Sequence, residues 1–230
     1  MAARYAIYHC PETDSGLYRV ASDWLGYDAA SRMERGAELP GEISEEEWRA
    51  ATETPRTYGF HATLKPPFRL ADGRSEQELL GALSDFARTV PPADVGPLSV
   101  SEIGGFIALL PACDGAAVGE LAAACVESFD GFRAAPEPAE LDIRRTEGLS
   151  PRQAAYLERW GYPYVLEEFR FHMTLTGRLD IKDRPRFEAA LDTRLSALAS
   201  TPQTVGSLCL FVQPSREARF QLRKRFVLEG

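Results

Sequence analysis

The chain has 230 residues, of which 44% are hydrophobic and 26% charged, with a formal net charge of −8. That composition is ordinary for a globular protein, and the negative charge disfavours a long nucleic acid gripped by its backbone while leaving room for a small anion held by local cations. No apolar run is long enough to cross a bilayer, and Met1 to Tyr5 opens without a signal-peptide core. Cys10, Cys113, Cys125 and Cys209 are scattered without C-x-x-C spacing. This pattern fits reduced thiols in a cytoplasmic protein better than a disulfide framework or a zinc site.

In chain order, Arg4 to His9 reads as a strand stopped by Pro11, with His9 expected at the surface or a hinge. Ser15 to Leu25 reads as a helix ending at Gly26. Ser44-Glu45-Glu46-Glu47 is a capping box opening a short helix through Trp48, and Pro55 is expected to break the chain before a strand at Phe60 to Leu64. After Pro66-Pro67, Ser75-x-x-Glu78 caps a helix with Leu79, Leu83, Phe86 and Val90 along one face. Leu98 to Val100 and Phe106 to Leu110 follow as strands around a Gly104-Gly105 turn. A helix from about Asp114 to Phe129 leads into an irregular stretch containing Pro136, Pro138 and Arg144-Arg145. The next helix has Ser150 as N-cap, Pro151 at its first position, Gln153 completing a capping box and Gly161 as its stop. Beyond a strand at Phe169 to Thr176, Asp183 opens a helix with Phe187, Leu191, Leu195 and Leu198 on its apolar face. Leu208 to Val212 and Phe220 to Leu228 close the chain as strands.

Two segments repeat one pattern, F-H-x-T-L: Phe60-His61-Ala62-Thr63-Leu64 and Phe171-His172-Met173-Thr174-Leu175. They hold two of the chain's three histidines and lie 172 − 61 = 111 residues apart, the spacing of a duplicated lobe. On a strand, His and the Thr two residues later share a face. The second copy then presents Arg170, His172, Thr174 and Thr176 on its polar face, and the first presents Gly59, His61, Thr63 and Lys65. Each half reads strand, helix, strand, strand. The expected fold is α+β: a single bilobal domain over residues 1–230, with two pseudo-symmetric lobes. Each lobe is expected to be an antiparallel sheet with helices packed on its outer face, with the catalytic cleft between the sheets.

Two imidazoles, each beside a hydroxyl, suit metal-free acid–base chemistry at a phosphoester. At these segments the chain resembles the two-histidine (2H, LigT-like) phosphoesterase superfamily, whose mark is a pair of H-x-[ST] motifs facing one cleft. The longer strings Gly59 to Phe68 and Phe169 to Leu179, with Leu149 to Gln153 running into Trp160-Gly161-Tyr162-Pro163, resemble a branch associated with phosphonate utilisation. The resemblance implies a cyclic phosphodiesterase, a metal-independent hydrolase of small 2′,3′-cyclic, ribose 1,2-cyclic or 2′,5′-linked phosphoesters.

In that reading His61 and His172 are the acid–base pair, and Thr63 and Thr174 donate to the non-bridging oxygens. Lys65, Arg170, Thr176 and Tyr8 bind substrate, and no metal or cofactor is called for. The partner is a small phosphorylated molecule, a cyclic nucleotide or ribose cyclic phosphate, with RNA ends as a further candidate. The protein is expected to be a cytoplasmic monomer that does not engage membrane. Tyr5, Tyr58, Trp24 and Tyr27 are candidate ring platforms or core. Arg219, Arg223 and Arg225 share a strand face, either a solvated edge or the mouth of the cleft. The competing function is a non-catalytic sensor or binding module for a phosphorylated sugar or nucleotide. A metallohydrolase is a third class, but no H-x-x-x-H or H-x-H cluster supports it.

Overall fold

The computed structural model describes residues 3–112, 115–136 and 148–230. Cys113, Asp114, Pro138 and Arg144-Arg145 lie outside the described residues. Side-chain caps fix where most helices begin. Ser15 accepts from the Tyr18 amide ahead of α1 (Gly16–Leu25), which ends on Gly26 in the left-handed region. Full capping boxes at Ser44, Ser75 and Ser150 open α2 (Glu45–Arg56), α3 (Glu76–Ala87) and α5 (Pro151–Trp160). The remaining helices are α4 (Ala116–Ser128) and α6 (Arg184–Ala199).

Pro55 does not end the chain's helical run before Phe60, as its ring suggests; it sits inside the last turn of α2. Having no N–H, it leaves the Ala51 carbonyl without its helical donor. The Gly177 amide fills that role at 2.6 Å, tying the segment after the second motif to α2.

Seven strands form one antiparallel sheet: β1 (Arg4–His9), β4 (Ala62–Phe68), β6 (Leu98–Ile103), β7 (Phe106–Pro111), β8 (Met173–Thr174), β10 (Ser207–Gln213) and β11 (Gln221–Val227). Their order is β11-β10-β1-β4-β8-β7-β6. Two small ribbons accompany it, β2 (Tyr27–Asp28) with β3 (Met33–Glu34), and β5 (Ala93–Gly96) with β9 (Gln203–Val205). The α+β class is what the chain builds, around this one large sheet.

The lobe assignment differs from expectation. The two motif strands are direct neighbours, with Ala62 paired to Met173. The strands that follow each motif cross to the other side: β6 and β7 join β8, while β10 and β11 join β1 and β4. Each half of the sheet is therefore built from both halves of the sequence. The motifs face a groove over one sheet surface, and the opposite surface carries the core. Ala62, Met173, Ile7, Leu109 and Leu210 are fully buried there beneath the helices, with Leu79, Leu83, Phe187, Leu191 and Leu195 packed in the same core.

β4 carries an irregularity that matters for function. Tyr8 pairs with Thr63 but Ile7 pairs with Lys65, so Leu64 is an extra residue in the ladder. A bulge of this kind reverses the facing of everything beyond it. Lys65 thus shares the face of Ile7, on the core side.

Candidate active site

The site is assembled from strand register. With Ala62 opposite Met173 in an antiparallel pair, His61 falls across from Thr174 and Thr63 across from His172, all four on the face away from the core. Each ring is oriented in the same way by its own backbone. His61 Nδ1 lies 2.9 Å from the Gly59 carbonyl and His172 Nδ1 lies 2.8 Å from the Arg170 carbonyl, in both cases the residue two positions upstream. A carbonyl can only accept, so Nδ1 carries the proton in each neutral ring and Nε2 is left as the free base. His61 Nε2 lies 3.3 Å from the Thr63 hydroxyl.

The two imidazoles differ in setting. His61 stacks on Tyr8 with ring centroids 3.8 Å apart. Burial, with a smaller contribution from His172, brings its pKa down to about 4. His172 lies beside Phe106, 5.8 Å between centroids, and is also lowered, by burial. Both rings are therefore neutral near pH 7 in the unliganded protein, and each can accept a proton.

Two adjoining cavities of about 340 and about 420 Å³ meet over this centre. Arg4, Tyr8 and Tyr58 line the first with His61; Arg170, Gln153 and Tyr164 line the second with His172. Thr63, Phe106, Tyr162 and Arg178 border both. Their size is that of small-ligand sites.

The structure gathers His61, Thr63, His172, Thr174, Arg170 and Tyr8 at the groove. Tyr8, 1% exposed, is the floor beneath His61. Thr176 touches the smaller cavity but is fully buried, and its hydroxyl accepts the Ile107 amide at 2.9 Å. Lys65 is not part of the groove. Flipped by the bulge, it donates to the Val126 carbonyl at 2.9 Å in the last turn of α4 and lies 3.8 Å from Asp130.

The tail arginines are also engaged elsewhere. Arg219 pairs with Glu34 and Arg223 with Glu76, each at 2.6 Å, and Arg225 donates to the Cys10 and Pro11 carbonyls. His9 is buried against the Ser207 carbonyl instead of lying at the surface, and burial lowers its pKa to about 4. Trp24 and Tyr27 belong to the core. Arg4 and Arg178 are the cations that pattern reading missed. Both were within reach of it: Arg4 shares a strand face with Tyr8, and Arg178 continues the series His172, Thr174, Thr176.

The chain belongs to the DUF1045 family, described as a protein of unknown function, whose profile matches residues 63–221. Two curated relatives are similar over almost the whole chain. The ribose 1,5-bisphosphate phosphokinase PhnN of Janthinobacterium sp. (strain Marseille) is 37% identical over 99% of this chain and 51% of its own length. The protein of the same name from Laribacter hongkongensis is 38% identical over 95% of this chain and 50% of its own. The chain spans about half the length of the curated relatives it matches. A solved structure of a conserved protein of unknown function from Agrobacterium tumefaciens is similar with a TM-score of 0.41 and 13% identity, covering 100% of this chain and 87% of that one.

These relatives overturn the expected activity. Their name is that of a phosphokinase, a transferase, and conflicts with a cyclic phosphodiesterase or any hydrolase; the non-catalytic sensor gains no support either. The physical reason is plain. An imidazole pair moves protons for whichever oxygen attacks phosphorus, and the H-x-[ST] pattern does not say whether that oxygen belongs to water or to a substrate. Among the described residues no helix is long and apolar enough to cross a membrane.

Proposed function

We propose that this chain binds a small phosphorylated ribose in the groove and handles the proton of its attacking oxygen, as one part of the phosphoryl-transfer chemistry named for the relatives. The observation that carries this reading is the pair of neutral imidazoles, each with Nε2 unprotonated, on one face among Arg4, Arg170 and Arg178. The phosphonate association fits the PhnN name of the relatives. What the chain shares with two-histidine proteins, in this reading, is the acid–base apparatus, with a ribose-phosphate oxygen in place of water.

The step balances as follows. The acceptor oxygen forms a bond to the terminal phosphorus of a nucleoside triphosphate while the P–O bond to the leaving diphosphate breaks. The electron pair stays on the leaving oxygen, and where the attacking oxygen carries a proton that proton passes to one Nε2. Thr174 donates to the transferring group's oxygens, the Thr63 hydroxyl holds His61 at Nε2, and Arg178, which borders both cavities, offsets the group's charge. The donor is assigned to the other part of such proteins, because these 230 residues contain no G-x-x-x-x-G-K-[ST] run to cradle a nucleotide's phosphates.

Calorimetric titration of the chain with ribose 1,5-bisphosphate, paired with NMR of the imidazole ring protons, tests this. Saturable heat with shifts at both His61 and His172 is expected. Absence of binding, or binding that leaves both rings unmoved, overturns the reading.

A further inference from the structure

We propose that Arg4 is the anchor for a terminal phosphate, the 5-phosphate of the sugar, held at the His61 end of the groove away from the reacting centre. The inference rests on the reading of the groove as a ribose-phosphate site and names the subsite that would select its ligand. Arg4 lines the cavity around His61 and not the one around His172. Its guanidinium is half-buried, yet its hydrogen-bond partner is a neutral amide: Nε donates to Gln213 Oε1 at 2.7 Å. Gln213 is 1% exposed and is itself fixed by donating to the Ala218 carbonyl at 2.7 Å. The face of the guanidinium rests 5.5 Å from the Phe220 ring centroid.

Among the described residues no carboxylate pairs with Arg4. By contrast Arg219, Arg223 and Arg225, on or just before β11, are each matched to an acid. A half-enclosed cation without a carboxylate partner, with Nε held and its side chain lining a cavity, is arranged for an anion from solution. Its partner Gln213 orients it without competing for its charge, which a carboxylate there would do.

Position supplies the ligand's shape. Arg178 and Thr63 border both cavities and belong to the centre, so an anion on Arg4 is displaced from the reacting group along the sheet face. On a ribose, the phosphate on the exocyclic methylene reaches farther from the ring than one attached at the anomeric carbon. The 5-phosphate is accordingly the group that meets Arg4, while the anomeric side lies toward the imidazoles.

Calorimetry with ribose 5-phosphate, ribose 1-phosphate and ribose 1,5-bisphosphate on wild type, Arg4→Gln and Arg4→Lys decides the matter. Arg4→Gln should weaken ribose 5-phosphate and the bisphosphate by about tenfold or more, and ribose 1-phosphate by less than about twofold. Arg4→Lys keeps the charge and should recover part of the loss, which separates a lost contact from a damaged fold. Equal weakening of all three ligands, or of none, overturns the proposal. A second arm follows the ¹⁵Nε resonance of Arg4 as inorganic phosphate is added. If wild type binds no ribose phosphate yet this resonance moves, the anion subsite stands and the ribose reading falls. If phosphate leaves it unmoved, the subsite itself is refuted.

Discussion

Each site imidazole hangs from a carbonyl two residues upstream, so backbone geometry decides which ring nitrogen faces the groove. Gly59 shows how tightly this is set. Its φ is +75°, and a Cβ there would stand 2.8 Å from the Ala29 Cβ. Gly59→Ala should cost about 1–2 kcal/mol for the left-handed backbone alone, with more from the contact. Adding Ala29→Gly should recover the steric part only, read as thermal midpoints of the two variants. Removing a ring acts on chemistry instead. On the reading proposed above, and with the unmatched half of the Laribacter relative added as donor side, His61→Ala and His172→Ala should each slow transfer to ribose 1,5-bisphosphate by about 10²-fold or more, followed by ³¹P NMR. The double variant should lose much less than the product of the two, because the rings act as a unit. Acid should also destabilise the fold. All three histidines have pKa values lowered by burial, His9 and His61 to about 4. Between pH 6.5 and 4 the unfolded chain therefore binds more protons than the folded one, and stability present above pH 6.5 is lost as the pH falls. Urea midpoints at pH 7 and pH 5 should show this drop, and His9→Asn should shrink it.

At the scale of elements, the bulge in β4 decides what Lys65 does. On the core side it caps the carboxyl-terminal turn of α4 through the Val126 carbonyl, near Asp130. Lys65→Met should lower stability by roughly 1–3 kcal/mol by removing a charged hydrogen bond, and leave the affinity for ribose 1,5-bisphosphate within about twofold. A large loss of affinity with an unchanged melting midpoint would contradict this placement. Burial lowers the Lys65 pKa to about 8, so between pH 8 and 10.5 the unfolded chain holds the extra proton and wild type should gain stability relative to Lys65→Met. The sequence made the helix starts legible, because Ser44, Ser75 and Ser150 carry their capping partners three residues on. Alternation around His172 was legible too, with Phe171, Met173 and Leu175 all buried. Lys65 was misplaced because a bulge depends on how many residues the partner strand contributes, which local alternation does not encode. Arg4 needed only the same alternation carried back along β1, and Arg178 the sequence alternation carried past the end of β8. Whether the attacking oxygen belongs to water or to a substrate was not legible, since proton-handling residues do not name the oxygen they serve.

Across the whole molecule the exchange of strands governs integrity. The hairpin of β6 and β7 completes the sheet beside the second motif, and β10 with β11 completes it beside the first. Neighbouring strands in each pattern look alike whichever partner they take, so the exchange is invisible to periodicity. A fragment ending before residue 148 should not fold alone, because β1 would lack β10 and β7 would lack β8; co-produced with residues 148–230 it should recover a cooperative transition by circular dichroism. The same topology bears on how the protein is made. Arg4 on β1 meets Gln213 on β10, 209 residues later in the chain. At about 5–20 residues per second of synthesis, β1 waits roughly 10–40 s for that partner. Through that interval it can pair with β4 on one side while its other edge stays open to any strand that drifts by. Slowing the ribosome lengthens the exposure, so soluble yield should depend on translation rate more steeply than mature stability would suggest, and a chaperone that shields strand edges should act on the nascent chain.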